Sequence, residues 1–146
     1  LSWAAHDNLC VNNIYANGNE DQRQTYLPKL CDGSHIGALG LTEPGAGSDA
    51  LGSMRTTATR DGDDFVLNGT KLYITNGPVA DIALVYAKTA PEKGQHGISA
   101  FIVETNTPGF YDKDFSQTQV ILDKLKATQS ELDEAIERWG ELESMQ

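Results

Sequence analysis

The chain has 146 residues, of which 39% are hydrophobic, and 21 acidic against 11 basic side chains give it a formal net charge of −10. This length fits one ordinary domain or a small domain with an appendage, and the hydrophobic content suffices for a buried core. The acidic balance and the lack of a basic block argue against a nucleic-acid surface, and no apolar run reaches the roughly 18 residues of a membrane span.

Helices are predicted for residues 1–33. Asn19 precedes two acids, which favour the first turn of a helix, and Gln22 occupies the capping-box position. We expect this helix to run towards residues 27–30, although Pro28 should end or bend it, because proline has no N–H to donate.

Neither cysteine has the spacing of a disulfide framework or a metal site, so the sequence predicts no metal. We expect Cys10 and Cys31 to be buried reduced thiols, which favours a cytoplasmic location with the mitochondrial matrix as the alternative. The histidines, His6, His35 and His96, are isolated along the chain, and we expect surface or packing roles for them.

Short apolar or alternating segments separated by glycine turns are predicted to form strands over residues 34–110. Because no helix is predicted between them, they favour an antiparallel sheet or barrel, here an incomplete one. The predicted strands are 36–41, 54–60, 65–67, 71–75, 81–89 and 97–104.

Residues 111–146 contain no proline, and residues 115–146 are predicted to form one long amphipathic helix. Its apolar side chains follow a heptad-like spacing that requires a partner; they are Ile121, Leu125, Leu132, Trp139 and Leu142. The predicted class is therefore α+β, with divisions at 1–33, 34–110 and 111–146.

A glycine-rich segment, Leu41–Asp49, is the first candidate binding loop. Its glycines allow tight turns and close approach of a ligand, successive N–H groups can form an anion-binding nest, and Thr42 and Ser48 supply hydroxyl groups. An ordinary Gly-Pro loop remains the alternative. The segment lacks the Gly-Lys-Ser/Thr of a phosphate loop, and no helix is predicted after it as a dinucleotide fingerprint requires.

The second candidate is Tyr73-Ile74-Thr75. In the predicted strand, Tyr73 and Thr75 point to the same face, where an aromatic ring and a hydroxyl can pack on a planar ligand and bond its edge. The alternative is an ordinary exposed sheet face before the Asn76-Gly77 turn.

Together, Leu39–Ser48 and Tyr73–Thr75 resemble the two flavin loops of the acyl-CoA dehydrogenase family, with Tyr73 where tryptophan is more usual. The resemblance covers residues 1–110 and is strongest to the isovaleryl-CoA branch. It implies the end of an N-terminal helical domain and part of a middle β domain, with FAD as cofactor. The implied reaction is α,β-dehydrogenation of a short or branched acyl-CoA.

The resemblance also implies roles for individual residues. Thr42 and the neighbouring backbone would bond the pyrimidine edge of FAD, Tyr73 would pack on the ring, and Thr75 would bond near the nitrogen that receives hydride. Ser48 would face the thioester arm of the substrate. The implied flavin-binding set is Leu39, Gly40, Leu41, Thr42, Gly47, Ser48, Tyr73, Ile74 and Thr75.

No catalytic residue is assigned. In the family the base is a glutamate from a later helical domain, which is not among these residues, and Glu43 is interpreted as a structural carboxylate. We therefore expect residues 1–146 to be inactive alone.

The segment 132–145 resembles the C-terminal coiled coil of ABC-F family ATPases, which predicts a chimeric junction near residue 110. An alternative function follows, a coiled-coil interaction protein that works through residues 115–146 with a vestigial β region. Self-association through that helix or through the open sheet edge is also expected.

Overall fold

The computed structural model of the chain describes residues 1–110. The predicted helix over 115–146, and the coiled-coil resemblance within it, lie outside the described residues. Helices come first along the chain, followed by a sheet, as the α+β prediction requires.

Three helical segments follow one another directly: α1 (Ser2–Ala4), a π-helical segment (Ala5–Val11) and α2 (Asn12–Asn17). Helix α3 (Glu20–Cys31) begins at the predicted capping box, in which Asn19 Oδ1 accepts from the Gln22 N–H at 2.8 Å and Gln22 Oε1 accepts from the Asn19 N–H at 2.9 Å. The predicted start of this helix is thus confirmed.

Pro28 does not end α3, which continues to Cys31. The proline is exposed, so the Gln24 carbonyl that it cannot bond also lies at the surface of the helix. Its own carbonyl accepts the Asp32 N–H at 3.0 Å, which closes the last turn.

A five-stranded sheet follows, and it is mixed rather than antiparallel. The strands are β1 (Gly37–Gly40), β2 (Thr57–Asp61), β3 (Asp64–Asn68), β4 (Ile82–Lys88) and β5 (Ile98–Glu104). The central strand is β4, which pairs in parallel with β1 and antiparallel with β5, while β2 and β3 form an antiparallel hairpin that joins β4 in parallel at Thr57–Lys88. Strands β1 and β4 can pair in parallel because a long connection separates them.

The sheet is curled but not closed within residues 1–110, and the barrel itself stays a prediction. Strands β3 and β5 lie at opposite edges of the sheet. The rings of Phe65 in β3 and Phe101 in β5 nevertheless meet edge to face, at a centroid distance of 5.2 Å, so the two edges curl towards each other. No hydrogen-bonded pairing of these two strands is present in residues 1–110.

Two local predictions were wrong. Residues 71–75 form no strand, because Tyr73 adopts a left-handed conformation with φ of 56°, and such a residue breaks the extended backbone. A helix does follow the glycine-rich segment, namely α4 (Ala50–Ser53), although it is only one turn long.

The core forms where the helices pack on the sheet. Cys10, Ile14 and Leu30 come from the helices, and Ile82 and Leu84 come from β4. Burial raises the pKa of the Cys10 thiol to about 11, against a smaller opposing effect of hydrogen bonds with the Ala38 and Leu84 backbone, so this cysteine is the buried thiol that was predicted. Cys31 is exposed at the end of α3, so the prediction that it is buried was wrong.

His6 fastens the π-helical segment to β1. Its Nδ1 accepts the Gly37 N–H at 2.9 Å, so the ring proton lies on Nε2, which donates to the Leu30 carbonyl at 3.0 Å. These bonds give His6 the packing role that was predicted.

Candidate functional site

The first loop, residues 41–49, follows β1 and turns back on itself at once. Glu43 and Ala46 exchange two backbone hydrogen bonds, at 3.0 and 3.1 Å, across Pro44 and Gly45. Neither Gly45 nor Gly47 has a positive φ, and a Cβ built on either would meet no atom within 4 Å. The glycines therefore leave the backbone open to a ligand, rather than being required for the turn.

The first loop ends at Asp49, which caps α4. The Asp49 carboxylate accepts the Gly52 N–H at 3.2 Å and the Ser53 hydroxyl at 2.7 Å. This cap fixes the point at which the chain leaves the loop.

The second loop, residues 71–76, contains two residues with positive φ, Tyr73 at 56° and Asn76 at 66°. Asn76 Nδ2 donates to the Ser2 carbonyl at 2.9 Å and to the Gly37 carbonyl at 3.1 Å, so the loop is tied to the helices and to β1. Left-handed backbone at a bulky residue such as tyrosine is strained, and strain of this kind concentrates at binding sites.

The two loops are joined by three hydrogen bonds. The Leu72 N–H donates to the Thr42 carbonyl at 2.9 Å. Lys71 Nζ donates to the Leu41 carbonyl at 3.1 Å and to Glu43 Oε1 at 2.8 Å. The segments that the sequence singled out separately are therefore neighbours in the structure.

Glu43 is buried, with 6% of its surface exposed, and is surrounded by donors. Its Oε2 accepts the Arg55 N–H at 2.6 Å, and its Oε1 accepts the Thr56 N–H and hydroxyl as well as Lys71 Nζ. Burial raises the pKa of this carboxyl, but Lys71 and these hydrogen bonds outweigh it and lower the pKa from 4.5 to about 2. Glu43 is thus an ionised structural group and a very weak base.

Several groups at the joined loops remain available to a ligand. Within residues 1–110, the hydroxyls of Thr42, Ser48 and Thr75 make no hydrogen bond, and neither does the Thr42 N–H. Tyr73 is 91% exposed. A strand end with free donors beside an exposed aromatic ring suits a planar ligand with acceptor atoms on its edge.

The remaining predicted binding residues lie around this junction. Leu39 and Gly40 belong to β1. Ile74 follows Tyr73 in the second loop and is half-buried. Gly47 and Ser48 are exposed on the first loop, and no hydrogen bond joins either to the second loop in the part of the chain that the structure describes. The binding roles of the whole set stay predictions.

Sequence reasoning missed Lys71 and Asn76, the residues that attach the second loop. One signal was available: an acid, Glu43, lies near the start of the first loop, directly after the apolar β1, and a single lysine opens the second loop. Buried acids are usually paired, so this combination could have predicted the ion pair. Nothing in the sequence indicated the left-handed backbone at Tyr73.

Two other kinds of site are absent from residues 1–110, a metal centre and a membrane span. These residues contain no group of three or more His, Cys, Asp or Glu side chains arranged to hold a metal ion. Their helices are also too short or too polar to cross a bilayer.

Comparison with protein families gives two matches along the chain. The family described as "Acyl-CoA dehydrogenase, N-terminal domain" matches residues 1–34, and "Acyl-CoA dehydrogenase, middle domain" matches residues 38–125. The second match passes the junction predicted near residue 110, and nothing in the comparisons supports the ABC-F resemblance or a chimera. The proposed boundaries at 33 and 110 themselves stay predictions.

Known proteins agree with these matches. The chain is 51% identical over 127 residues to the mitochondrial isovaleryl-CoA dehydrogenase of Pongo abelii, covering 86% of this chain and 28% of that protein. The structure of butyryl-CoA dehydrogenase from Megasphaera elsdenii superposes with a TM-score of 0.71 at 49% identity, covering 74% of this chain and 28% of that one.

A third comparison concerns the cofactor. A glutaryl-CoA dehydrogenase from Mycobacterium smegmatis, solved in complex with FADH2, superposes with a TM-score of 0.62 at 49% identity, covering 68% of this chain and 24% of that one. A flavin complex is thus among the similar structures, in agreement with the predicted cofactor. The chain spans about a quarter of the length of these relatives.

Proposed function

Because this chain belongs to the acyl-CoA dehydrogenase family, we propose that its two joined loops form part of a flavin site for the dehydrogenation of an acyl-CoA. The observation that carries the proposal is the contact between the loops. Lys71 and Leu72 hold the second loop against Leu41 and Thr42, next to hydroxyl groups that are free to bind. FAD would supply the chemistry as acceptor of a hydride from the substrate's β carbon.

The chain's own groups fit the edge of a flavin. The free N–H and hydroxyl of Thr42 are donors for the pyrimidine edge, where negative charge collects when a flavin is reduced. Tyr73 offers an exposed face for packing on the ring, and Thr75, two residues on, offers a second hydroxyl. A tyrosine keeps the aromatic surface that tryptophan usually provides at this position.

Ser48 is proposed to face the thioester arm of the substrate. Its hydroxyl makes no hydrogen bond in residues 1–110, and Gly47 beside it leaves the backbone open. The similarity to isovaleryl-CoA and butyryl-CoA dehydrogenases favours a short or branched acyl chain.

The α-proton must leave through a base, and Glu43 is unsuited to that role. Its pKa of about 2 and its buried pairing with Lys71 hold it as a carboxylate that would release a captured proton at once. With FAD added, we expect residues 1–146 alone not to bleach the flavin on addition of isovaleryl-CoA. Bleaching at an enzymatic rate would contradict this expectation.

Titration of the chain with FAD, followed by visible absorption and flavin fluorescence, tests the proposed site. We expect saturable binding that the double variant Thr42→Val/Thr75→Val weakens at least about tenfold, since two hydrogen bonds worth roughly 1 kcal/mol each are lost. Thr59→Val, at an exposed position of β2, is the matched control and should bind as the wild type does. Absent binding, or equal binding by all three proteins, would overturn the proposal.

A further inference from the structure

Lys71, which joins the two loops, also contacts the Leu41–Thr42 peptide, whose N–H is proposed to bind the ligand. Lys71 Nζ donates to the Leu41 carbonyl at 3.1 Å, and the Thr42 N–H belongs to that same peptide unit. No peptide bond in the described chain is cis, so the carbonyl and the N–H of this planar unit point in opposite directions. The ammonium group therefore lies on one side of the peptide and the free N–H on the other.

This arrangement is shielded from water on the lysine side. The Lys71 side chain is only 11% exposed, and Glu43 holds its ammonium at 2.8 Å, while three further donors, the Arg55 N–H and the N–H and hydroxyl of Thr56, hold Glu43. A cation fixed against a carbonyl in such surroundings draws electron density towards the oxygen, and the N–H of the same peptide becomes a stronger donor.

We propose that Lys71 is a positioning residue, held by Glu43, which orients and polarises the Leu41–Thr42 peptide so that the Thr42 N–H preferentially stabilises reduced flavin. The inference rests on the proposed flavin site for its functional part. Its structural part, the polarised peptide, is a property of the chain without any ligand. Lys71 does not touch the reacting atoms and acts only through this peptide.

The first test needs no flavin. Base-catalysed exchange of an amide proton leaves negative charge shared with the carbonyl oxygen of the same peptide, so a cation on Leu41 O should accelerate exchange at Thr42. By NMR of the labelled full chain, we expect Thr42 to exchange at least about fivefold faster in the wild type than in Lys71→Met/Glu43→Gln. A merely structural role predicts the opposite, because a loosened loop exchanges faster.

Two further variants and an internal reference complete this test. Lys71→Arg retains the cation and should keep the fast exchange, and Lys93→Met/Glu92→Gln, an exposed pair with the same change in charge, should leave it unaltered. In the wild type itself, Thr42 should exchange faster than Gly47, relative to the rates expected from sequence, so the comparison survives if the buried double variant does not fold. Equal or slower exchange at Thr42 overturns the inference.

The second test compares oxidised with reduced FAD under anaerobic conditions. Relative to the wild type, Lys71→Met/Glu43→Gln should lose at least about tenfold more affinity for reduced than for oxidised FAD, since only the reduced form carries the charge that the N–H stabilises. Equal losses of affinity for reduced and oxidised FAD would mean that Lys71 has only a structural role. If the wild type binds neither form, the proposed function fails, while the exchange measurement still decides whether Lys71 polarises the peptide.

Discussion

At the scale of single residues, Glu43 shows how a carboxylate inside a binding loop can serve the loop without reacting. It accepts from two backbone N–H groups, one hydroxyl and one ammonium, and these contacts more than offset the cost of its burial. A pKa lowered from 4.5 to about 2 means that the folded state favours the ionised form. The stabilisation is therefore fully present above about pH 4.5 and is lost as the pH falls towards 2.

Replacement of Glu43 by Gln should make this pH dependence visible. The pKa difference corresponds to about 3 kcal/mol at neutral pH, so the stability gap between wild type and Glu43→Gln should shrink by about 2 kcal/mol between pH 6 and pH 2.5. Urea unfolding at several pH values measures the gap. The exposed Glu92→Gln serves as control, and a Glu43→Gln gap that stays constant with pH would contradict the assignment.

Some features of single residues could be predicted from the sequence, and others could not. The side chains with free hydroxyls were identified because their type and spacing are local properties. The Glu43–Lys71 pair joins positions far apart in the chain, and the left-handed Tyr73 lies in a loop that Asn76 ties to the distant Gly37. Neither feature is visible in a local pattern, and residues 71–75 consequently looked like a strand.

At the scale of elements, the close approach of the helices to β1 positions both loops. A Cβ at Gly37 would lie 2.7 Å from Cys10 Sγ, so only glycine lets this strand pack against the π-helical segment. The Gly37 N–H and carbonyl also bond His6 and Asn76, one from the helices and one from the second loop. Displacement of β1 would therefore also displace the two loops of the candidate site.

Gly37→Ala should destabilise the chain by about 1–3 kcal/mol, because the added methyl group overpacks the contact with Cys10. Gly45→Ala is a matched control, since a Cβ there meets open space, and its effect should range from neutral to a gain of about 1 kcal/mol. Thermal or urea unfolding compares the two variants. Equal stabilities would show that the close packing at β1 is absent.

Element types were largely predictable, whereas their pairing was not. The capping box placed the start of α3, and period and turn residues located all five observed strands. Parallel pairing of β1 with β4 depends on contacts across a long connection, and the local glycine turns favoured an antiparallel arrangement instead. Helix α3 continues past Pro28 to Cys31, and the Gln24 carbonyl that Pro28 cannot bond lies at the exposed surface of the helix.

At the scale of the whole described unit, Leu1–Thr107, the curled sheet leaves β5 paired only with β4. An edge of this kind presents unpaired backbone groups and can pair with another chain. Self-association through this edge stays a prediction, as does the cellular location.

A lysine on the edge should suppress such pairing. Ala100 is exposed on β5, so Ala100→Lys adds a charge at the edge without disturbing the core, and Ala16→Lys on α2 adds the same charge elsewhere. Sedimentation should show self-association of the wild type and of Ala16→Lys, and less of it for Ala100→Lys. A monomeric wild type, or equal association of the wild type and both variants, would show that the β5 edge is not an interface.

The central claim is that the joined loops are where flavin binds, and hydrogen exchange of the whole chain with and without FAD tests it most directly. We predict that saturating FAD slows amide exchange at residues 39–48 and 73–75 and leaves α3 unchanged. Slowing confined to other segments, or no change anywhere at an FAD concentration that saturates the optical titration, would contradict the claim.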